Sequence, residues 1–148
     1  MSTITKQEVR GIARMLVIAL VTICTAFSLV ACKSKPTTLQ EIVENDPSIL
    51  KDLQDSFNEV LREKRKESGE IWHGEVDVVQ NQMKFICYFD FNPARLEINQ
   101  SALAELSGLC KEVEDEYDLK DVTMRYEYRT GDGTLVYSGT YDDKGRIE

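Results

Sequence analysis

His73 is the only histidine in the chain, and its four cysteines contain no C-x-x-C pair. A lone histidine offers no cluster for metal binding, and without a partner motif it is most simply structural. The missing C-x-x-C pair excludes a dithiol redox motif and a zinc ribbon. Basic charge is also scarce: 18 Lys and Arg stand against 26 Asp and Glu, a net charge of −8. Nucleic-acid binding needs clustered Lys and Arg, so that partner class is excluded. The one basic cluster is Arg62, Lys64, Arg65 and Lys66, interleaved with Glu59, Glu63 and Glu67. On a helix this pattern is a solvated, salt-bridged face. There is no internal repeat and no low-complexity tract. A chain of 148 residues is also too short for a two-lobed transporter receptor.

What is present begins at the N-terminus. Lys6, Arg10 and Arg14 face one acid, Glu8, and residues 15–31 carry no charge. The run ends in Leu29-Val30-Ala31-Cys32. A basic start, an apolar stretch and a small residue before a cleavage point make a secretory signal. With cysteine next, it resembles a bacterial lipoprotein signal, in which Cys32 is lipidated and becomes the first mature residue. Cys24 also lies in the apolar run, but Ile23 before it is bulky where a small residue is wanted. A retained membrane helix is the competing reading, although the uncharged run is at the short end of the spanning range. Lipidation implies a diacylglyceryl thioether, and two acyl chains (palmitate-type) anchor stably where one does not. The expected organisation is a signal peptide over 1–31, a lipidated tether over 32–37, and one domain over 38–148.

Within the domain, Thr38 and Glu41 have capping-box spacing for a helix start. Asn45-Asp46-Pro47 breaks that helix and starts another. Ile49, Leu50, Leu53, Phe57, Val60 and Leu61 form one apolar face, and Ser68-Gly69 ends it. Residues 71–79 and 83–91 alternate with period two around Gln80-Asn81-Gln82, which predicts a β-hairpin. Ala102, Leu103, Leu106, Leu109, Cys110, Val113 and Tyr117 predict a second amphipathic helix. Residues 122–129 and 135–141 predict two more strands around Gly131-Asp132-Gly133, followed by a polar tail from Asp142 to Glu148. The expected fold class is α+β, in the order α-β-β-α-β-β. It is a four-stranded antiparallel sheet covered on one face by helices.

The cysteine-ended signal, the helix start Thr38-Leu39-Gln40-Glu41-Ile42-Val43 and the paired end Val122–Tyr128 followed by Gly131-Asp132-Gly133-Thr134 carry a resemblance. The chain is similar to an uncharacterised small lipoprotein domain of Gram-positive bacteria, over roughly residues 37–142. The resemblance implies fold and location and brings no catalytic residues.

Candidate chemistry is sparse. Ser48-Ile49-Leu50-Lys51 matches S-x-x-K, and Arg129-Thr130-Gly131 is a distant match to K-T-G, but no S-D-N element accompanies them. Asp132-Gly133 lacks the other oxygen ligands of a calcium loop and is explained by a turn. No metal or cofactor is expected. Cys87 and Cys110 fall on apolar faces, and outside the cytoplasm they could form a disulfide or remain buried thiols. Glu112, Glu114, Asp115, Glu116, Asp118 and Asp121 sit at a helix C-terminus, where the macrodipole disfavours acids. That run is a candidate surface for a basic partner, against the plainer reading of a solvated face. Tyr88 shares a strand face with Ile86, and if that face is uncovered it could bind protein. The expectation is a non-enzymatic lipoprotein on the extracytoplasmic face of the cell membrane, binding an envelope or extracellular protein. The alternative is a small ligand-binding, accessory or inhibitor lipoprotein.

Overall fold

The computed structural model describes residues 2–3 and 35–148. Cys32, Cys24 and almost all of the signal segment lie outside the described residues. Ser2–Thr3 form a short parallel pair with Leu96–Glu97.

Helix α1 (Leu39–Asn45) starts where expected, with the Thr38 hydroxyl accepting the Glu41 amide at 3.1 Å. The chain breaks at Asp46-Pro47 and resumes as α2 (Ser48–Ser68). Gly69 ends α2 in the left-handed region (φ 71°), donating its amide to the Arg65 carbonyl, as a glycine C-cap does. Strands β1 (Trp72–Val79) and β2 (Gln82–Phe89) form the expected hairpin, with Trp72 opposite Phe89 and Val79 opposite Gln82. Two helical pieces follow, α3 (Gln100–Leu103) and α4 (Leu106–Tyr117), then β3 (Thr123–Thr130), β4 (Leu135–Asp142) and a two-residue β5 (Gly145–Arg146).

The domain is α+β, but the sheet differs from the four-stranded antiparallel one expected. It has five strands in the spatial order β1-β2-β3-β4-β5, and its central pair, β2 and β3, is parallel. The cause lies in the crossover. An α4 of 12 residues spans about 18 Å and, with α3 and its linkers, carries the chain back along the sheet. β3 therefore starts at the end where β2 started, as a helical crossover requires. The fifth strand comes from the supposed polar tail. The Asp142 side chain accepts the amides of Lys144 and Gly145, closing a tight turn that returns the chain to β4.

One face of the sheet is the core. Trp72, Val76 and Val78 of β1 are buried with Met83, Phe85, Cys87 and Phe89 of β2, and with Met124, Tyr126 and Tyr128 of β3. Leu53, Phe57 and Leu61 of α2, and Leu106, Cys110 and Val113 of α4, cover this face. Phe57 and Leu61 press so closely on β1 that a Cβ at Gly74 would fall 2.4 Å from the Phe57 ring and 2.8 Å from Leu61. Glycine in this strand permits the close approach of α2.

Cys87 and Cys110 are both fully buried in this core, and neither is in a disulfide. The disulfide considered from the sequence is not formed. The Cys110 sulfur lies against the Tyr141 carbonyl of β4 at 3.4 Å. Cys110 also meets the Met124 backbone of β3, whereas Cys87 pairs with Tyr128, four residues further along that strand and about 13 Å away at 3.3 Å per residue.

Candidate functional site

Alternation sends the other half of each strand to the opposite face, which no helix among the described residues covers. Register arranges that face in rows. His73, Tyr88 and Arg129 form one row; Glu75, Ile86, Glu127 and Ser138 the next; Asp77, Lys84, Arg125 and Thr140 the third.

The third strand carries the most ordered charge on this face. Glu127 is only 3% exposed and is held between two arginines. Arg125 Nε donates to one carboxylate oxygen and Arg129 Nε to the other, each at 2.8 Å. Burial pushes the Glu127 carboxyl up, but the two arginine hydrogen bonds outweigh it and leave it below the ordinary glutamate value. Arg125 also donates to Thr140 and to Glu148, and Arg129 donates to the Gly133 carbonyl. Both guanidiniums are thus committed to intramolecular partners.

At one end of the face, Ile71, His73, Glu75, Tyr88, Phe89, Asp90 and Gly131 line an open groove of about 340 Å³. The Tyr88 hydroxyl donates to Glu75 at 3.2 Å. Burial, with Glu75 beside it, pushes the Tyr88 phenol up, so it stays a protonated donor at neutral pH. The His73 ring lies 6.1 Å from the Tyr88 ring at 27°, and its Nε2 is 3.9 Å from Glu75. Asp90 accepts the Ile71 amide at 3.1 Å, fixing the entry to β1. Ile71, 47% exposed, supplies an apolar rim.

The structure brings together His73 and Tyr88, which the sequence offered separately, and adds Ile71, Glu75 and Asp90. Their signal was available in the hairpin: a turn at Gln80-Asn81 sets the register, and period two puts His73, Glu75 and Tyr88 on one face.

The other candidates have local explanations. The Ser48 hydroxyl donates to Asp46 and Lys51 pairs with Asp55, both within the first turns of α2. Asp132 accepts the Thr130 hydroxyl and the Thr134 amide, and Gly133 takes a positive φ of 89°, so the pair builds the β3–β4 turn. No group of three or more His, Cys, Asp or Glu among the described residues is placed to hold a metal ion.

The acidic run is spread around the end of α4. Glu114 accepts the Val122 amide at 2.9 Å, Asp115 pairs with Lys111, and Asp118 pairs with Lys35 at 2.6 Å. Glu112, Glu116 and Asp121 are exposed around these three. Glu114, Asp115 and Asp118 therefore have structural tasks.

No protein-family model, no curated protein and no solved structure matches the chain.

Proposed function

We propose that this chain is a lipoprotein of the Gram-positive cell envelope. Cys32 anchors it to the outer side of the membrane, and the uncovered sheet face receives another protein. The Gram-positive assignment rests on the sequence resemblance to small lipoprotein domains.

One observation carries the reading: the described chain enters the domain at the end of the sheet opposite the groove. The Leu39 amide donates to the Asn81 side chain, and Gln40 bonds Gln80, both in the β1–β2 turn. Lys35 reaches Asp118 beyond the C-terminal end of α4, and Asn81 bonds the Lys120 carbonyl at the same end. The groove lies at the far end of the eight-residue strand β1, roughly 25 Å away at 3.3 Å per residue. A lipid at Cys32, followed by a short tether, would thus hold the α1 end at the membrane and turn the groove outward.

The test has two arms. Cys32→Ala should abolish acylation and leave an unprocessed precursor, and continued fatty-acid labelling would refute the anchor. A photo-crosslinking residue replacing Lys84 on the open face should capture a discrete species on intact cells. The same residue replacing Arg62, exposed on α2, should not. Equal capture from both positions would refute the open face as the binding surface.

A further inference from the structure

We infer that the groove at the outer end of the sheet binds a cationic side chain of the partner, with the planar guanidinium of arginine the best fit. This rests on the open-face reading above and specifies the chemistry of that face.

The first ground is charge. The groove lining contains two carboxylates, Glu75 and Asp90, and neither Lys nor Arg. Arg129, paired with Tyr88 in register on the next strand, has its guanidinium tied to Glu127 and to the Gly133 carbonyl. The lining is therefore acidic. An anion would meet that charge directly, and an apolar side chain would strip solvent from both carboxylates without replacing it.

The second ground is shape. The rings of Tyr88 and His73, with centroids 6.1 Å apart at 27°, supply an aromatic wall, and Ile71 adds an apolar side chain to the lining. A planar, weakly hydrated cation suits a wall of this kind. Guanidinium stacks on aromatic faces and pairs with carboxylates through a fixed fork of donors. Ammonium would satisfy the charge but not the stacking. The Tyr88 hydroxyl, donating to Glu75, holds one carboxylate beside the wall.

The third ground is position. The groove occupies the end of the sheet away from the tether, where a partner's side chain can enter from outside. The larger acidic run around the end of α4 sits at the tether end, where an anchored domain would turn it toward the lipid.

The test uses the full chain in neutral maltoside micelles, purified through a histidine-free tag. With one histidine in the sequence, the imidazole gives a single resonance that reports on the groove. N-acetyl-arginine amide should shift that resonance saturably. N-acetyl-citrulline amide, its neutral counterpart, should bind at least about fivefold more weakly, and N-acetyl-glutamate amide should not bind. Glu75→Gln and Asp90→Asn keep the acceptor oxygens and remove the charge. Each should lower arginine-amide affinity by about threefold to fivefold, the range of an exposed ion pair. No saturable shift, equal binding of citrulline amide, or preference for glutamate amide would overturn the inference. If crosslinking from position 84 persists while arginine amide fails to bind, the open-face reading stands and the cation assignment falls. If arginine amide binds but position 84 captures nothing, the site stands and the protein-binding reading falls.

Discussion

Asn58 holds both polar groups of Gly74. Its Oδ1 accepts the Gly74 amide at 2.8 Å, and its Nδ2 donates to the Gly74 carbonyl at 2.9 Å. One turn earlier, Gln54 extends the pattern: its Oε1 accepts the Val76 amide at 2.7 Å and its Nε2 donates to the Gly74 carbonyl. β1 is an edge strand, and these two side chains occupy the hydrogen-bonding groups that an adjoining strand would take. An open edge is a template for unwanted pairing, so two helix amides here do the work of a sixth strand.

Removing both amides should expose that edge. Gln54→Ala combined with Asn58→Ala is expected to make the protein associate with itself as its concentration rises. Light scattering on the full chain in neutral detergent measures this. A double variant with the same mass as the parent over a hundredfold concentration range would show that the edge is protected by other means.

Gly74 is expected to tolerate no side chain. Gly74→Ala puts a methyl group into the Phe57 ring and against Leu61, so α2 must lift from β1. Overpacking of this kind costs about 1–3 kcal/mol. Urea denaturation should show the loss, and combining the change with Phe57→Leu should recover part of it. An unchanged midpoint in Gly74→Ala would mean that α2 sits further from the strand.

Much of this arrangement is legible in the sequence. The capped start at Thr38, the break at Asp46-Pro47, the glycine stop at Gly69 and the period-two strands all appear where local chemistry puts them. Pairing partners are a different matter. Alternation says which side chains share a face, but not which strand lies alongside, and so the parallel match of Phe85 with Tyr126 could not be read. The same gap hid the groove. His73 and Tyr88 were visible as strand residues, whereas Asp90 and Gly131 reach the site through strand ends that only the sheet order brings together. β5 was missed because two residues carry no alternation, although Asp142 three positions before Gly145 was a usable turn signal.

Glu127 should matter for stability more than its surface setting suggests. In Glu127→Ala, Arg125 and Arg129 face each other across an empty site, and each loses a charge-assisted hydrogen bond. The expected loss is about 2 kcal/mol by denaturant titration. Arg125→Met added to Glu127→Ala should recover part of it. A single variant within 0.5 kcal/mol of the parent, a loss typical of ordinary surface changes, would show the network to be solvated rather than structural.

The two core thiols should resist chemistry. Burial, with Glu114 nearby, pushes the Cys110 thiol up to about 12, leaving almost no thiolate at neutral pH. Maleimide labelling of the folded protein should reach Cys87 and Cys110 only as fast as the domain opens, and readily in urea. Rapid native labelling, or an intact mass two hydrogens short in protein isolated from cells, would contradict the buried thiol state.

The β3–β4 turn should loosen in acid. The Thr130 hydroxyl and the Thr134 amide, both donating to Asp132, hold its carboxyl down at about 2, against an ordinary 3.8. A depressed carboxyl contributes fully above its unfolded value and loses that contribution as pH falls toward the folded one. The window therefore runs from about 4 down to about 2. The Thr134 amide resonance should titrate across it in the parent and stay flat in Asp132→Asn. Identical acid titrations would remove Asp132 as the cause.

The parallel seam between β2 and β3 also sets the order in which the domain can assemble. Gln82 and Thr123, which begin the seam, are 41 residues apart, whereas each hairpin closes over a short turn. Local closures come early and distant ones late, because the loop entropy must be met before the pairing rewards it. During synthesis, the first hairpin and α2 can form a half-domain before β3 has emerged. Until the crossover lands, the inner edge of β2 stays bare. That interval, rather than the finished fold, is when this protein is most exposed to mispairing and to proteases.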